Sequence, residues 1–332
     1  MYERFYGLKE KPFNNTPDPK FLLLTPSHRE ALAQLVYGVQ EHKGFMVLTG
    51  EVGTGKTTLL RALMRRLDST TAVSFLFNST LSFDESLEYM LEDFGIGKAG
   101  ETRVQRLISL NNFLIERRRA GQNTVVIFDE AQNLEAGSLE HIRLLSNFET
   151  TSDKLIQILL VGQPELKQKL QLPELRQLKQ RIGLRCVITP LQSEDVKDYV
   201  RSRLRVAGAR DLNLFADAAL RRISEFTEGI PRVINTICDH CLLIGYADQT
   251  RRIDRSIVER AIQYLEEGEL PAHARSPLAG LRTSITLRTA VAAGAAVGTV
   301  IVGLLALAAG WFHNLIVLTQ SLADFGHSWW GR

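Results

Sequence analysis

Eight residues near the first sixth of the chain carry the strongest chemical pattern, Gly50-Glu51-Val52-Gly53-Thr54-Gly55-Lys56-Thr57. Glycines at 50, 53 and 55 let the backbone turn tightly enough for its N–H groups to point at an anion. Lys56 adds a mobile cation, and the Thr57 hydroxyl can hold a divalent metal. The flanks suit this use. Phe45-Met46-Val47-Leu48 is an apolar run of strand type, and Thr58 to Leu67 repeats its apolar residues at helical spacing. Strand, glycine-rich loop, Lys-Thr and helix together make a phosphate-binding P-loop, with the helix N-terminus adding its positive dipole end.

A second pattern lies downstream. Thr124-Val125-Val126-Ile127-Phe128 leads into Asp129-Glu130. This reads as a central parallel strand with two acids at its C-terminal end, where open α/β sheets bind their ligands. Asp129 is placed to hold Mg²⁺, directly or through water, and Glu130 to orient and polarise an attacking water. A further strand, Leu155 to Val161, ends at Gly162-Gln163-Pro164. Gln163 there either reaches the γ-phosphate and water or begins a turn. Gly229-Ile230-Pro231-Arg232 puts an arginine at a helix start, where the dipole disfavours a cation. That position fits an anionic partner such as a nucleotide, or a surface ion pair. Arg181 and Arg185 carry the guanidinium suited to a phosphoryl transition state, and also read as solvated surface arginines.

The elements that must position these groups can be read in order. Residues 1–27 read as an ordered extended segment anchored by aromatics and prolines, among them Phe5, Tyr6, Pro12, Phe13 and Phe21. Ser27, with Glu30 as a capping box, predicts a helix to about His42. Ala72 to Phe77 is a strand, and Phe83 to Phe94 and Val104 to Arg119 are helices. Arg117, Arg118 and Arg119 suit the C-terminal dipole of the latter. Leu170 to Leu178 reads as helical and Cys186-Val187-Ile188 as a short strand. After Pro190 the pattern is helical only: Ser193 to about Val206, Ala216 to Phe226, Pro231 to Ala247, and an Asp254-capped helix ending near Glu267. The expected layout is an α/β core over 28–190, a small all-α domain over 191–268, and a linker over 269–288.

A formal charge of +3 in 332 residues gives no electrostatic case for nucleic acid as a partner, and none is expected. Three cysteines are too few for a disulfide framework. Cys238 and Cys241 sit in a helical apolar pattern with no second cluster to complete a metal site, so they read as small buried hydrophobes. No basic start followed by an apolar core opens the sequence, so a secretory leader is not expected. By contrast, residues 289–323 contain no Asp, Glu, Lys or Arg. Thr289 to Trp311 is long and apolar enough for a helix across a bilayer core of about 30 Å. Arg275, Arg282 and Arg288 before it predict that the N-terminal side is cytoplasmic and the C-terminus outside. Residues 312–332 then read as a short amphipathic external tail.

These residues resemble a known family. Met1-Tyr2-Glu3-Arg4-Phe5-Tyr6-Gly7-Leu8, Pro12-Phe13, Pro17-Asp18-Pro19, Leu48 to Thr58, Phe128-Asp129-Glu130-Ala131-Gln132-Asn133-Leu134, Val161 to Leu166 and Gln180-Arg181-Ile182 are similar to general secretion pathway protein A, the ExeA type of AAA+ ATPase. The likeness covers about residues 1–268. It implies an αβα sandwich with a helical lid, ATP and Mg²⁺ as ligands, and a ring of subunits on a bacterial inner membrane. Gly50, Glu51, Val52, Gly53, Thr54, Gly55, Lys56, Thr57 and Thr58 then correspond to Walker A, and Asp129 and Glu130 to Walker B. Gln163 corresponds to sensor 1 and Arg232 to sensor 2. Arg181 is the first and Arg185 the second choice for a finger reaching a neighbouring subunit's site. Secretion-type members carry a peptidoglycan-binding module after the membrane helix, whereas here only 312–332 follow. The expected role is driving assembly of an envelope secretion or exopolysaccharide machine. A DNA-binding transposition-type ATPase and a nucleotide-switched scaffold are the alternatives.

Overall fold

The computed structural model describes residues 1–267, apart from 78–79, 98–101 and 152. The apolar run at 289–311, the linker and the tail lie outside the described residues. Among the described residues no helix is long and apolar enough to cross a membrane.

The chain begins with a short helix, α1 (Tyr2–Tyr6), and a 3₁₀ turn at Pro19–Phe21. There follow α2 (Pro26–Gln40), β1 (Phe45–Gly50), α3 (Lys56–Met64), β2 (Ala72–Leu76), α4 (Phe83–Asp93), α5 (Arg103–Arg119) and β3 (Thr124–Phe128). Next come α6 (Ala136–Leu145), β4 (Gln157–Gly162), α7 (Pro164–Lys169), α8 (Arg176–Arg181) and β5 (Ile182–Ile188). Four helices close the described chain: α9 (Ser193–Val206), α10 (Asp217–Thr227), α11 (Pro231–Ala247) and α12 (Arg255–Glu267).

The five strands form one sheet in the order β2-β3-β4-β1-β5, with every pairing parallel. Side chains alternate across a strand, so each strand supplies two cores. Phe45, Val47, Val126, Phe128, Ile158 and Leu160 pack on one face against α4 to α8. Met46, Leu48, Val125, Ile127, Leu159 and Val161 pack on the other against α2 and α3. The result is an αβα sandwich whose central strands are apolar on both sides, as a buried parallel sheet demands. Register brings the strand ends together: Thr49 lies beside Gly162, and Phe128 beside Leu160. The loops leaving β1, β3 and β4 therefore emerge side by side.

Helices α9 to α12 enclose a third core, which also takes in Tyr2, Tyr6, Leu8, Phe13 and Phe21 from the N-terminal arm. The arm is ordered, as expected, but Tyr2–Tyr6 is helical rather than extended. Tyr2 and Tyr6, one turn apart, both turn onto α11 and its neighbours, and Gly7 at φ 70° closes the turn. Bonds across the whole chain length fix the arm. The Tyr2 hydroxyl donates to Asp239, the Tyr6 hydroxyl to the Thr250 carbonyl (3.1 Å), and the Lys9 N–H to the Ala207 carbonyl (2.8 Å).

Other expectations change in detail. Helix α2 starts at Pro26 behind Thr25, not at a Ser27 cap, because proline's fixed φ suits the first helical position. Glu30 accepts from Gln34 instead of capping. The helix expected over Leu170 to Leu178 is broken, with Pro173 opening a 3₁₀ turn before α8. Strand β5 starts at Ile182, well before Cys186. Helix α6 is an addition to the expected elements. Cys238 and Cys241 are free and fully buried, and burial pushes both thiols up, in keeping with small hydrophobes. Arg117 donates to the Asn123 and Thr70 carbonyls and Arg118 pairs with Asp153 at 2.9 Å, so these cations hold the end of α5 in place.

Candidate active site

The loop between β1 and α3 wraps around the lysine ammonium. Lys56 Nζ donates to the carbonyls of Gly50 (2.8 Å) and Glu51 (3.1 Å). Burial lowers its pKa, while Glu130 and Asp129 nearby favour the charged form. Gly55 caps α3 at φ 100° and Gly53 sits at φ 81°, a region other residues enter at a cost. Gly53 has a second duty. A Cβ there would fall 2.7 Å from Arg232 Cβ, and the Arg232 N–H donates to the Gly53 carbonyl at 3.2 Å. Helix α11 thus reaches the loop only because position 53 lacks a side chain.

The two acids beyond β3 behave differently. Asp129 is buried, and burial raises its pKa despite donors from the Glu130 N–H (3.0 Å) and the Thr57 hydroxyl (3.2 Å). Burial would also raise Glu130, but hydrogen bonds from Gln132 and Gln163, with the Lys56 charge, carry it below the usual carboxylate range. Both amides meet one oxygen: Glu130 Oε2 accepts from Gln132 Nε2 at 2.7 Å and Gln163 Nε2 at 3.1 Å. The Gln163 N–H donates back to Gln132 Oε1 at 3.1 Å, closing a ring of amides around the carboxylate. Glu130 holds φ 52°, ψ 37°, left-handed backbone that a glutamate adopts only under constraint. Gln163 stands just before α7 and turns its side chain to the Glu130 carboxylate.

A cleft opens over this group, lined by residues 14–18 and Phe21 of the arm, the loop from Val52 to Thr58, Glu130, and the lid residues Tyr199, Arg203 and Arg232. The Arg232 side chain is exposed and has no hydrogen bond or ion pair among the described residues. Arg181 and Arg185 are not brought to this cleft. Arg181 ends α8 and donates to Asn147 Oδ1 (2.7 Å) and Ser146 Oγ at the end of α6. Arg185 is exposed on β5 and donates to the Lys179 carbonyl at 3.1 Å.

Three further residues shape the site without having stood out in the sequence. Gln132 sits in the quoted Asp-Glu-Ala-Gln run, two residues past Glu130, where its amide could have been suspected. Buried His28 bonds to the glycine-rich loop from α2, and no local pattern marks it. Buried Arg203 donates to the Pro12 (2.5 Å) and Asn14 (2.9 Å) carbonyls and to the Tyr199 hydroxyl (2.8 Å), with its guanidinium 4.7 Å from the Phe21 ring centroid. It pins the arm to the lid at the cleft wall.

A parallel sheet with a Lys-Thr glycine loop on one central strand and Asp-Glu on another defines a P-loop nucleotide-binding protein. The thermodynamics of the donor set agree. A buried carboxylate beside a hydroxyl, with no cation bonded to it directly among the described residues, fits a divalent ion carried in with a triphosphate. A family model described as an AAA domain matches residues 39–170. The chain is 43% identical over 254 residues to general secretion pathway protein A of Aeromonas hydrophila, covering 76% of this chain and 46% of that protein. It thus spans less than half of that relative's length. It is 26% identical over 170 residues to an uncharacterised HTH-type transcriptional regulator of Methanocaldococcus jannaschii, covering 49% of this chain and 40% of that one. Among solved structures, the Aeropyrum pernix ORC2 protein in its ADPNP–ADP complexes superposes with TM-score 0.59 at 18% identity, over 80% of this chain and 74% of that chain. The Aeropyrum pernix ORC1 protein in complex with DNA gives 0.58 at 16%, over 77% and 70%. At such identities these two likenesses concern the fold alone. The chain belongs to the AAA+ ATPases of the general secretion pathway protein A type.

Proposed function

We propose that this protein hydrolyses ATP and is a membrane-anchored motor of an envelope assembly. The observation that carries the reading is the grouping of Lys56, Thr57, Asp129 and Glu130 at adjoining strand ends, with Thr57 and Asp129 3.2 Å apart. Gly50 to Thr58 cradle the phosphates through their N–H groups, and Lys56 exchanges its carbonyl partners for phosphate oxygens. Thr57 and Asp129 would hold Mg²⁺, which would supply positive charge to offset that of the phosphates. Glu130, steadied on Oε2 by Gln132 and Gln163, offers Oε1 to orient the attacking water and take up its proton. Arg232 contacts the phosphates from the lid, so closure of α11 over the loop is linked to nucleotide. Arg181 serves a neighbour's site in a ring, and Arg185 is the second choice.

Anchoring rests on the composition of 289–311, and the arginines before it favour a cytoplasmic motor and an external C-terminus. The load is a protein of an envelope secretion or exopolysaccharide machine. Steady-state ATPase assays test the core of this reading. Glu130→Gln lowers turnover by about 10²- to 10⁴-fold while ATP still binds. Unchanged turnover would overturn the role given to Glu130. A reporter enzyme fused after Arg332 reads as external, and a cytoplasmic signal would overturn the orientation.

A further inference from the structure

His28 lies in the first turns of α2 and is buried under the phosphate loop. Both ring nitrogens are engaged. Nε2 lies 3.1 Å from the Thr54 carbonyl, which can only accept, so Nε2 carries the proton and donates. Nδ1, 2.6 Å from Thr25 Oγ1, then accepts from that hydroxyl. Burial lowers the ring's pKa, which suits the neutral form this arrangement requires.

Thr54 is a fixed point of the loop. Its N–H (3.3 Å) and its hydroxyl (2.8 Å) both donate to the Glu51 carbonyl, and its own carbonyl is taken by His28. The next residue is Gly55 at φ 100°. With no Cβ at 55, the peptide plane between Thr54 and Gly55 has little intrinsic resistance to rotation. In a trans peptide the C=O and the following N–H point in opposite directions. Holding the Thr54 carbonyl toward His28 therefore aims the Gly55 N–H to the opposite side, away from His28. A rotated plane would turn a carbonyl oxygen toward the phosphates in place of a donor.

We infer that His28, itself set by Thr25, is a positioning residue that locks the Thr54–Gly55 peptide so that the Gly55 N–H is ready for phosphate. The inference rests on the nucleotide-binding reading above and names a further part of that site. It acts on the bound ground state and the transition state alike, so its loss falls on affinity more than on turnover.

The test uses the full-length chain, with Mg·ATP as the probe in calorimetry and in steady-state assays. His28→Ala weakens ATP binding and raises KM by roughly tenfold, in line with one buried hydrogen bond of a preorganised loop, while kcat at saturating ATP stays within about threefold. His28→Gln, whose amide N–H has similar reach, recovers most of the affinity. Thr25→Val, which removes only the hydroxyl, gives an intermediate loss. Should His28→Ala fail to fold, the Gln and Val variants carry the same contrast. Equal affinity in the parent and His28→Ala would overturn the inference alone, as would a kcat loss with KM unchanged. A parent chain that binds no ATP would overturn the nucleotide reading and the inference with it.

Discussion

In the core, Lys56, Thr57, Asp129 and Glu130 meet because β1, β3 and β4 are neighbouring parallel strands whose ends lie in register. In the lid, Tyr2 reaches Asp239 across 237 positions and Arg203 reaches Asn14 across 189. The first region places its chemistry through backbone pairing and short motifs. The second is stapled by aromatic packing and one buried guanidinium with no carboxylate partner among the described residues. Core substitutions at the site should therefore cost function with little stability, and arm–lid substitutions should cost stability first.

The sharpest break of that contrast is Lys56→Ala. It should lower ATP affinity by about a hundredfold or more, since a charge-assisted phosphate contact is lost, and cost less in urea unfolding than a buried arginine would, because burial already works against the Lys56 cation and offsets its two carbonyl bonds. A large loss of stability would blur the distinction. Arg203→Met should do the reverse. It keeps the apolar stem but leaves the Pro12 and Asn14 carbonyls without their donor, costing about 2–4 kcal/mol. Urea unfolding measures this, and early proteolysis within residues 1–24 should accompany it.

A subtler test compares the two neighbouring acids. Asp129 has a raised pKa, so its contribution is present below the carboxylate's unfolded value and lost as pH rises through the folded one. Glu130 has a lowered pKa, so its contribution is present above its unfolded value and lost as pH falls through the folded one. Asp129→Asn should thus raise the neutral-pH Tm of the nucleotide-free chain while abolishing Mg²⁺-dependent turnover. Glu130→Gln should lower that Tm slightly. Thermal melts from pH 4 to pH 8 separate the two, and equal signs would break the assignment. The smallest effect is Tyr2→Phe, where losing one partly buried hydrogen bond to Asp239 should cost about 1 kcal/mol, read by the same melts.

Much of the core was legible because its signals are local. The run before Gly50 and the run before Asp129 are continuous apolar strands ending in motif residues, and the lid helices carry caps such as Asp254 and Pro231. What stayed hidden depends on neighbours distant in the chain. Helix α6 begins Ala136-Gly137-Ser138, which reads as loop until Leu139, Ile142 and Leu145 find the sheet. His28 looks like any polar residue of an amphipathic helix. Arg203 looks like one more cation near the end of α9. The arm's aromatic residues announced order, but not that their partner is the lid.

The docking of that arm bears on how the protein is made. Synthesis releases Tyr2, Phe5, Tyr6, Phe13 and Phe21 well before the helices that bury them. At ribosomal speed, the interval is roughly ten to forty seconds. Throughout it, an aromatic segment waits beside a folding α/β domain with no surface of its own to cover it. The core shared by the arm and the lid can therefore close only once α9 to α12 have been made.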